Sequence, residues 1–360
     1  MSSDFALATL TVSQAAIATN YKLFQSKSKA DVAGVLKADG YGTGAAQAFK
    51  TLRKAGCKNF FIATPDEGEE LRKLDKDAAI FMLGGLPKSA EDFVVAQNII
   101  PILSSLEEIA RYKAFAKAKK LPAAIHFDTG MNRLGLGKDE TEKLLEDFSL
   151  LDAFDLKLVI SHFASSEDKD NPMNEIQAKD FAAIAKHFPQ APKSLCNSSG
   201  IFRDPNWHHD MLRPGYSLYG GNPTPETKNP VRSVVTLEGK ILQTRNVKKG
   251  EAAGYNSTYT FDQDTTTATI GVGYADGFLR GGSNRAKFYF NGEPCPIRGR
   301  VSMDLIIVET GHVKGKPPQA GDMMEILGHH QSIDALAADC GTIGYEILTS
   351  LGPRYRRVYI

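Results

Sequence analysis

The chain has 360 residues, a length that points to two domains and to burial of roughly 75% of the surface an unfolded chain of this size exposes. Its 43 basic and 42 acidic side chains nearly cancel, which excludes an electrostatic grip on nucleic acid or on an acidic membrane as its organising feature. The opening Met1-Ser2-Ser3-Asp4-Phe5 lacks the basic start and apolar run of a secretion signal, and no apolar run approaches the ~20 residues that span a bilayer. Cys57, Cys196, Cys295 and Cys340 lie far apart, so reduced thiols, a cytoplasmic location and no metal site are expected. His208-His209 and His329-His330 read as surface pairs, because adjacent histidines rarely point the same way.

From about residue 30 to 220, short apolar runs alternate with helical patterns. Strands are expected at 31–37, 59–63, 79–83, 100–103, 123–128, 156–162 and 193–197, with a short one near 212–215. Between them, Ala45, Ala48, Phe49 and Leu52 recur at helical spacing before Gly56, and Ser105 with Glu108 forms a capping box. Eight such units predict a (β/α)8 barrel over residues 1–225. Near residue 225 the texture changes: Pro223, Pro225 and Pro230 punctuate a polar stretch, and strand-like segments follow at 231–243, 265–271, 286–290, 293–298 and 304–309. Residues 226–360 are therefore expected to form a mainly β domain, with one helix near 333–338.

Lys37 is the most informative residue. It stands at the mouth of the first barrel strand, where barrel enzymes build their sites, ahead of Gly40, Gly42 and Gly44. That placement suits a Schiff base with a phosphorylated aldehyde cofactor. Arg133, His162, Asn197 and Arg213 fall at or just beyond the ends of other strands.

The run Lys37-Ala38-Asp39-Gly40-Tyr41-Gly42-Thr43-Gly44 resembles the pyridoxal-phosphate lysine motif of alanine racemases. Further matches follow in the family's order: Asp128-Thr129-Gly130-Met131-Asn132-Arg133, Ser161-His162-Phe163-Ala164, Asn197-Ser198-Ser199-Gly200, Arg213-Pro214-Gly215-Tyr216, Gly273-Tyr274-Ala275-Asp276-Gly277, Gly299-Arg300-Val301-Ser302-Met303-Asp304 and Gly341-Thr342-Ile343-Gly344-Tyr345-Glu346. The resemblance implies pyridoxal 5'-phosphate on Lys37, its phosphate held around Asn197, Ser198, Gly215 and Tyr216 with the phenols of Tyr41 and Tyr345. It further implies Arg213 on the pyridine nitrogen, where an arginine keeps that nitrogen unprotonated and favours return of the proton to the same carbon.

Two bases are implied: Lys37, and Tyr255 contributed by the partner of a homodimer with shared sites, with His162 relaying between Arg213 and that phenol. Free tyrosine and lysine titrate near ~10 and ~10.4, so both bases need burial or positive charge nearby. Arg133 and the Met303 amide would hold the substrate carboxylate, while Tyr274 and Tyr345 narrow the entrance toward small side chains such as alanine's methyl. The first strand of the chain, about 8–12, would join the β domain. D-alanine for peptidoglycan is the implied product.

Three positions depart from the family pattern. His126 stands where many members carry a carbamate-modified lysine, so Arg133 is expected to be oriented by a bound anion or another carboxylate. Thr43 replaces a histidine and Asn256 a glycine. A racemase of serine or of broader range stays open, as does, less favourably, a decarboxylase of similar architecture. The latter would carry an acidic group in place of Arg213. A non-catalytic pyridoxal-phosphate-binding protein of a single barrel would lack both the β domain and Tyr255.

Overall fold

The computed structural model describes residues 5–116 and 119–360; residues 1–4, part of the opening run read for a secretion signal, lie outside it. Seven short parallel strands lie side by side in chain order: Gly34–Val35, Asn59–Ile62, Ala79–Met82, Ile100–Leu103, Leu121–His126, Phe154–Ile160 and Lys193–Ser194. The inner strands form because they are nearly continuous apolar runs buried on both faces, as Phe60, Phe61 and Ile62 or Ile80, Phe81 and Met82 illustrate, while Phe154–Ile160 is apolar and buried only in its second half. An eighth strand, Met211–Leu212, pairs in parallel with Asp31–Val32 and meets the seventh through Asp210 N–H donating to the Lys193 carbonyl at 3.0 Å. The sheet thus closes into a barrel, with helices such as Ala45–Lys54, Pro65–Leu74 and Met173–Ala185 outside it. The run read as one strand at 31–37 breaks at Ala33 and ends at Val35; Lys37 lies beyond it, at the C-terminal face.

The second sheet orders Glu293–Pro296, Lys287–Phe290, Met323–Leu327, Val235–Val247, Ala8–Val12 and Arg356–Tyr359, with Thr265–Ile270 branching from the long strand Val235–Val247 and Ile306–Glu309 pairing with Thr265–Ile270 in turn. Ala8–Val12 runs antiparallel to Val235–Val247 and parallel to Arg356–Tyr359, so both ends of the described chain are sewn into this sheet. Ser13 then caps the helix Gln14–Lys27, its hydroxyl accepting from Ala16 N–H at 3.2 Å, and returns the chain to the barrel.

Two expectations need correction. The β domain carries two helices, Ile333–Cys340 and Gly344–Thr349, where one was expected; the second begins at a glycine and is too short for its period to show. His208 is buried, not on the surface, its Nε2 lying 3.0 Å from the Ile201 carbonyl. Among the described residues no helix is long and apolar enough to cross a membrane, and no group of three or more His, Cys, Asp or Glu side chains could hold a metal ion.

Candidate active site

A cavity of about 440 Å³ opens at the C-terminal face of the barrel, within the range of small-molecule sites. Lys37, Tyr41, Arg133, His162, Asn197, Ser198, Arg213, Gly215, Tyr216 and Tyr345 all line it, so ten residues scattered through the sequence reading meet in one place.

The backbone after Lys37 is left-handed. Ala38, Asp39, Gly40, Tyr41 and Gly42 have φ values of 54°, 53°, 60°, 54° and 71°. Glycine tolerates this freely, but Ala38, Asp39 and Tyr41 each give up about 1–2 kcal/mol. The turn persists because its polar groups are satisfied: Gly40 N–H donates to Leu36 O at 2.7 Å, Gly42 N–H to Ala38 O at 2.8 Å, Thr43 Oγ1 to Gly40 O at 2.6 Å and Ala45 N–H to Asp39 Oδ1 at 2.8 Å. It also leans on the C-terminal segment. A Cβ on Gly42 would stand 2.0 Å from the Leu348 carbonyl oxygen, and Arg357 Nη1 donates to the Gly42 carbonyl at 2.6 Å.

The cavity is cationic. Arg213 is buried and donates through Nε to Ser194 Oγ at 2.8 Å and through Nη2 to the Ser161 and Leu195 carbonyls at 2.5 and 2.9 Å; its Nη1 lies 3.3 Å from His162 Nδ1. A guanidinium only donates, so Nδ1 is the acceptor of a neutral imidazole. Burial, then the Arg213 and Arg133 charges, holds His162 well below its ordinary value. Burial and Arg213 take His126 down to about 4. Arg213 itself is lowered by burial to about 10 and stays charged at neutral pH. Burial, then Arg133 and Arg213, also pulls the Lys37 amine down, with Glu67 opposing.

Among the described residues, the Lys37 amine, the Arg133 guanidinium and the Tyr41 hydroxyl make no hydrogen bond or ion pair. Arg133 is exposed and no carboxylate among the described residues holds it, so that part of the expectation raised by His126 is not met.

At one end of the cavity, Ser198 Oγ accepts from Gly215 N–H at 3.0 Å and Ser217 N–H at 3.3 Å, which leaves its own hydrogen to donate. A Cβ on Gly215 would stand 2.3 Å from the Tyr41 hydroxyl, so glycine is what lets that phenol approach. The Tyr216 N–H begins a 3-10 turn, where the first amides have no partner within the helix. Tyr345 stacks on Tyr216 with centroids 4.0 Å apart, and the pair is tied at both sides: Tyr345 donates to Glu167 at 2.8 Å and Tyr216 to Asp334 at 2.6 Å. Asn197 Oδ1 is occupied, accepting from Ser166 Oγ at 2.8 Å and Gly200 N–H at 3.0 Å.

Two family models match the chain: the N-terminal domain of alanine racemase over residues 12–223, and its C-terminal domain over residues 234–359. The chain belongs to the alanine racemase family. The alanine racemase of Rhodospirillum rubrum is 47% identical over 361 residues, covering 99% of this chain and 96% of that protein. That of Acidiphilium cryptum is 46% identical over 352 residues, covering 97% and 98%. The crystal structure of the alanine racemase from Bartonella henselae with covalently bound pyridoxal phosphate matches with a TM-score of 0.95 at 38% identity, covering 99% of this chain and 100% of that one.

Three residues that the resemblance places at a racemase site do not line this cavity. Tyr255, Tyr274 and Met303 are 68%, 44% and 53% exposed, all on the β domain. Their loops are joined: Tyr274 N–H donates to Ser302 O at 3.1 Å and Ala275 N–H to Met303 O at 2.9 Å, while a Cβ on Gly254 would meet Arg300 N at 3.1 Å. Asn256 has φ 60°, a conformation asparagine tolerates, which accounts for its standing where the family has glycine. One residue that the sequence reading passed over is Glu67, which bonds backbone amides on both sides of the cavity mouth. Thr64-x-x-Glu67 has the spacing of a helix capping box, a signal for the cap but not for that longer reach.

Proposed function

We propose that this enzyme interconverts L- and D-alanine with pyridoxal 5'-phosphate held through Lys37, using Lys37 and the partner subunit's Tyr255 as bases on opposite faces of the substrate. The observation that carries the reading is the Lys37 amine: unpaired, depressed by burial and by two guanidiniums, and open to the cavity.

The residues present fit the cofactor. Ser198, Tyr41, and the amides of Gly215 and Tyr216 supply donors suited to a phosphate, with Asn197 bracing the loop that carries Ser198. Tyr345 contributes its ring there, and its hydroxyl would have to turn from Glu167 to donate. Arg213 has directed four N–H groups to Ser194, Ser161, Leu195 and His162. Its remaining Nη1 hydrogen is available to an acceptor in the cavity such as a ring nitrogen. When bound, pyridoxal phosphate supplies an electron sink that acidifies the substrate Cα–H.

The protein's own groups do the rest. Lys37, its proton affinity lowered first by burial and then by Arg133 and Arg213, takes or returns a proton at Cα on one face. The partner's phenol serves the other, with the His162–Arg213 pair as its electrostatic support. Arg133, which makes no ion pair among the described residues, clamps the substrate carboxylate together with the amide of the partner's Met303, and the partner's Tyr274 with Tyr345 limits side-chain size. The proposed assembly is a cytoplasmic homodimer whose product is D-alanine for peptidoglycan.

The test is incubation of the protein, supplied with pyridoxal phosphate, with L-alanine in heavy water. D-alanine carrying deuterium at Cα is expected, and Lys37→Ala should reduce its formation at least about a thousandfold. Unchanged L-alanine from a yellow protein, or racemisation that survives the Lys37 substitution, would overturn the proposal.

A further inference from the structure

We propose that Glu67 is a positioning residue for Lys37, its carboxylate tying together the two strand ends that flank the amine and supplying a negative charge at the backbone from which that side chain leaves. The inference deepens the reading of Lys37 as the cofactor lysine and rests on it.

Glu67 lies in the first turn of the helix Pro65–Leu74. Helix capping explains one of its contacts, the Thr64 N–H at 3.4 Å. Capping does not explain the two shorter ones. Oε2 accepts from Ala63 N–H at 2.7 Å, just past the strand Asn59–Ile62, and Oε1 accepts from Ala38 N–H at 2.6 Å, across the sheet and directly after Lys37. Ala38 is also where the left-handed turn begins, with φ 54°. A carboxylate on that amide therefore fixes the backbone at the point where Lys37 leaves its strand. Charge-assisted bonds of this kind are the stronger ones, and here two of them share one side chain.

The electrostatic side follows from what faces the amine. Arg133 and Arg213 present positive charge from the loops after two other strands, His126 and His162 are neutral, and the Tyr41 and Tyr345 phenols are pushed up by burial. Against these cations Glu67 is the carboxylate acting on Lys37, and it raises what burial and the arginines lower. Its presence keeps the amine from being depressed further.

The experiment uses the full-length protein, stripped of any bound cofactor and titrated with pyridoxal phosphate from pH 5 to 9. Absorbance reads capture, and borohydride trapping with peptide mass spectrometry reads the adduct at Lys37. Glu67→Gln removes the charge and should move the pH midpoint of capture down by at least about half a unit. Glu67→Asp keeps the charge but not the reach, and should leave the midpoint in place while weakening cofactor affinity at least about threefold. A midpoint and affinity equal to those of the unaltered protein in both variants, with only the melting temperature lowered, would overturn the proposal and reduce Glu67 to a helix cap. Should the unaltered protein form no adduct at Lys37, the cofactor reading fails instead. The charge effect is then read on the same variants from the pH dependence of Lys37 methylation by formaldehyde and cyanoborohydride, where an unmoved midpoint again overturns it.

Discussion

Arg213 is held from three sides by carbonyls and a hydroxyl, and among the described residues no carboxylate pairs with it. That choice has consequences for each neighbour. Burial, and then its charge, keep His162 neutral, and His162 therefore accepts from it without competing for a proton. Tyr255 is the residue on which the proposed chemistry divides, because its phenol would serve one face of the substrate and Lys37 the other. Tyr255→Phe is expected to slow Cα proton removal from one enantiomer by about a hundredfold and to affect the other far less, measured as solvent deuterium wash-in from each direction. Equal, small effects in both directions would make Tyr255 structural. At this scale the sequence shows which side chains carry chemistry, since Lys37, Arg133 and Arg213 sit in motifs with neighbours of distinctive type. It does not show which atoms are already engaged. That Asn197 is occupied by Ser166 and Gly200, that Tyr345 donates to Glu167, and that Glu67 reaches Ala38 depend on residues far apart in the chain meeting in space.

The left-handed turn after Lys37 is the element most specific to this site. Three non-glycine residues in it forfeit together roughly 3–6 kcal/mol, a sum comparable to what its four local hydrogen bonds, worth about 1 kcal/mol each, return. Further support comes from the segment against which the turn packs, through Leu348, Arg357 and Tyr359. Gly42→Ala should therefore do more than add backbone strain. Its Cβ would meet the Leu348 carbonyl at 2.0 Å, so a loss of about 2 kcal/mol or more in urea unfolding is expected, together with weaker cofactor capture at Lys37. A variant of unchanged stability and affinity would show that the turn is free to relax. Gly40, Gly42 and Gly44 announce a special backbone in the sequence, whereas Ala38, Asp39 and Tyr41 do not, because their conformation is imposed by tertiary contacts. The barrel strands are legible for the opposite reason. Burial on both faces makes runs such as Phe60-Phe61-Ile62 apolar throughout, while the strand Arg356–Tyr359 and the helix Gly344–Thr349 lack such a pattern and pass unseen.

At the scale of the molecule, two depressed histidines line a cationic cavity, and this gives stability a pH dependence. The unfolded chain binds protons at His126 and His162 below about pH 6.5, while the folded chain resists doing so, His126 until about pH 4. Their contribution is thus intact above 6.5 and lost as pH falls through that window, on the order of 1–2 kcal/mol for His126 by pH 5. Melting temperatures between pH 7 and 4.5 should decline less steeply in His126→Asn than in the unaltered protein; identical slopes would contradict this. The cavity itself holds Lys37 and the groups suited to a phosphate, yet Tyr255, Tyr274 and Met303 lie exposed on the β domain of the same chain. A second copy would bring that face to this cavity, so each site would draw on both chains. Mixing two inactive variants tests this directly. Lys37→Ala and Tyr255→Ala, unfolded and refolded together, should recover about a quarter of the unaltered activity, because half of the dimers would be mixed and each of those would hold one intact site. Recovery of that size would require Lys37 and Tyr255 from different chains to work in one cavity; a mixture as inactive as its parents, despite demonstrated exchange of subunits, would contradict it.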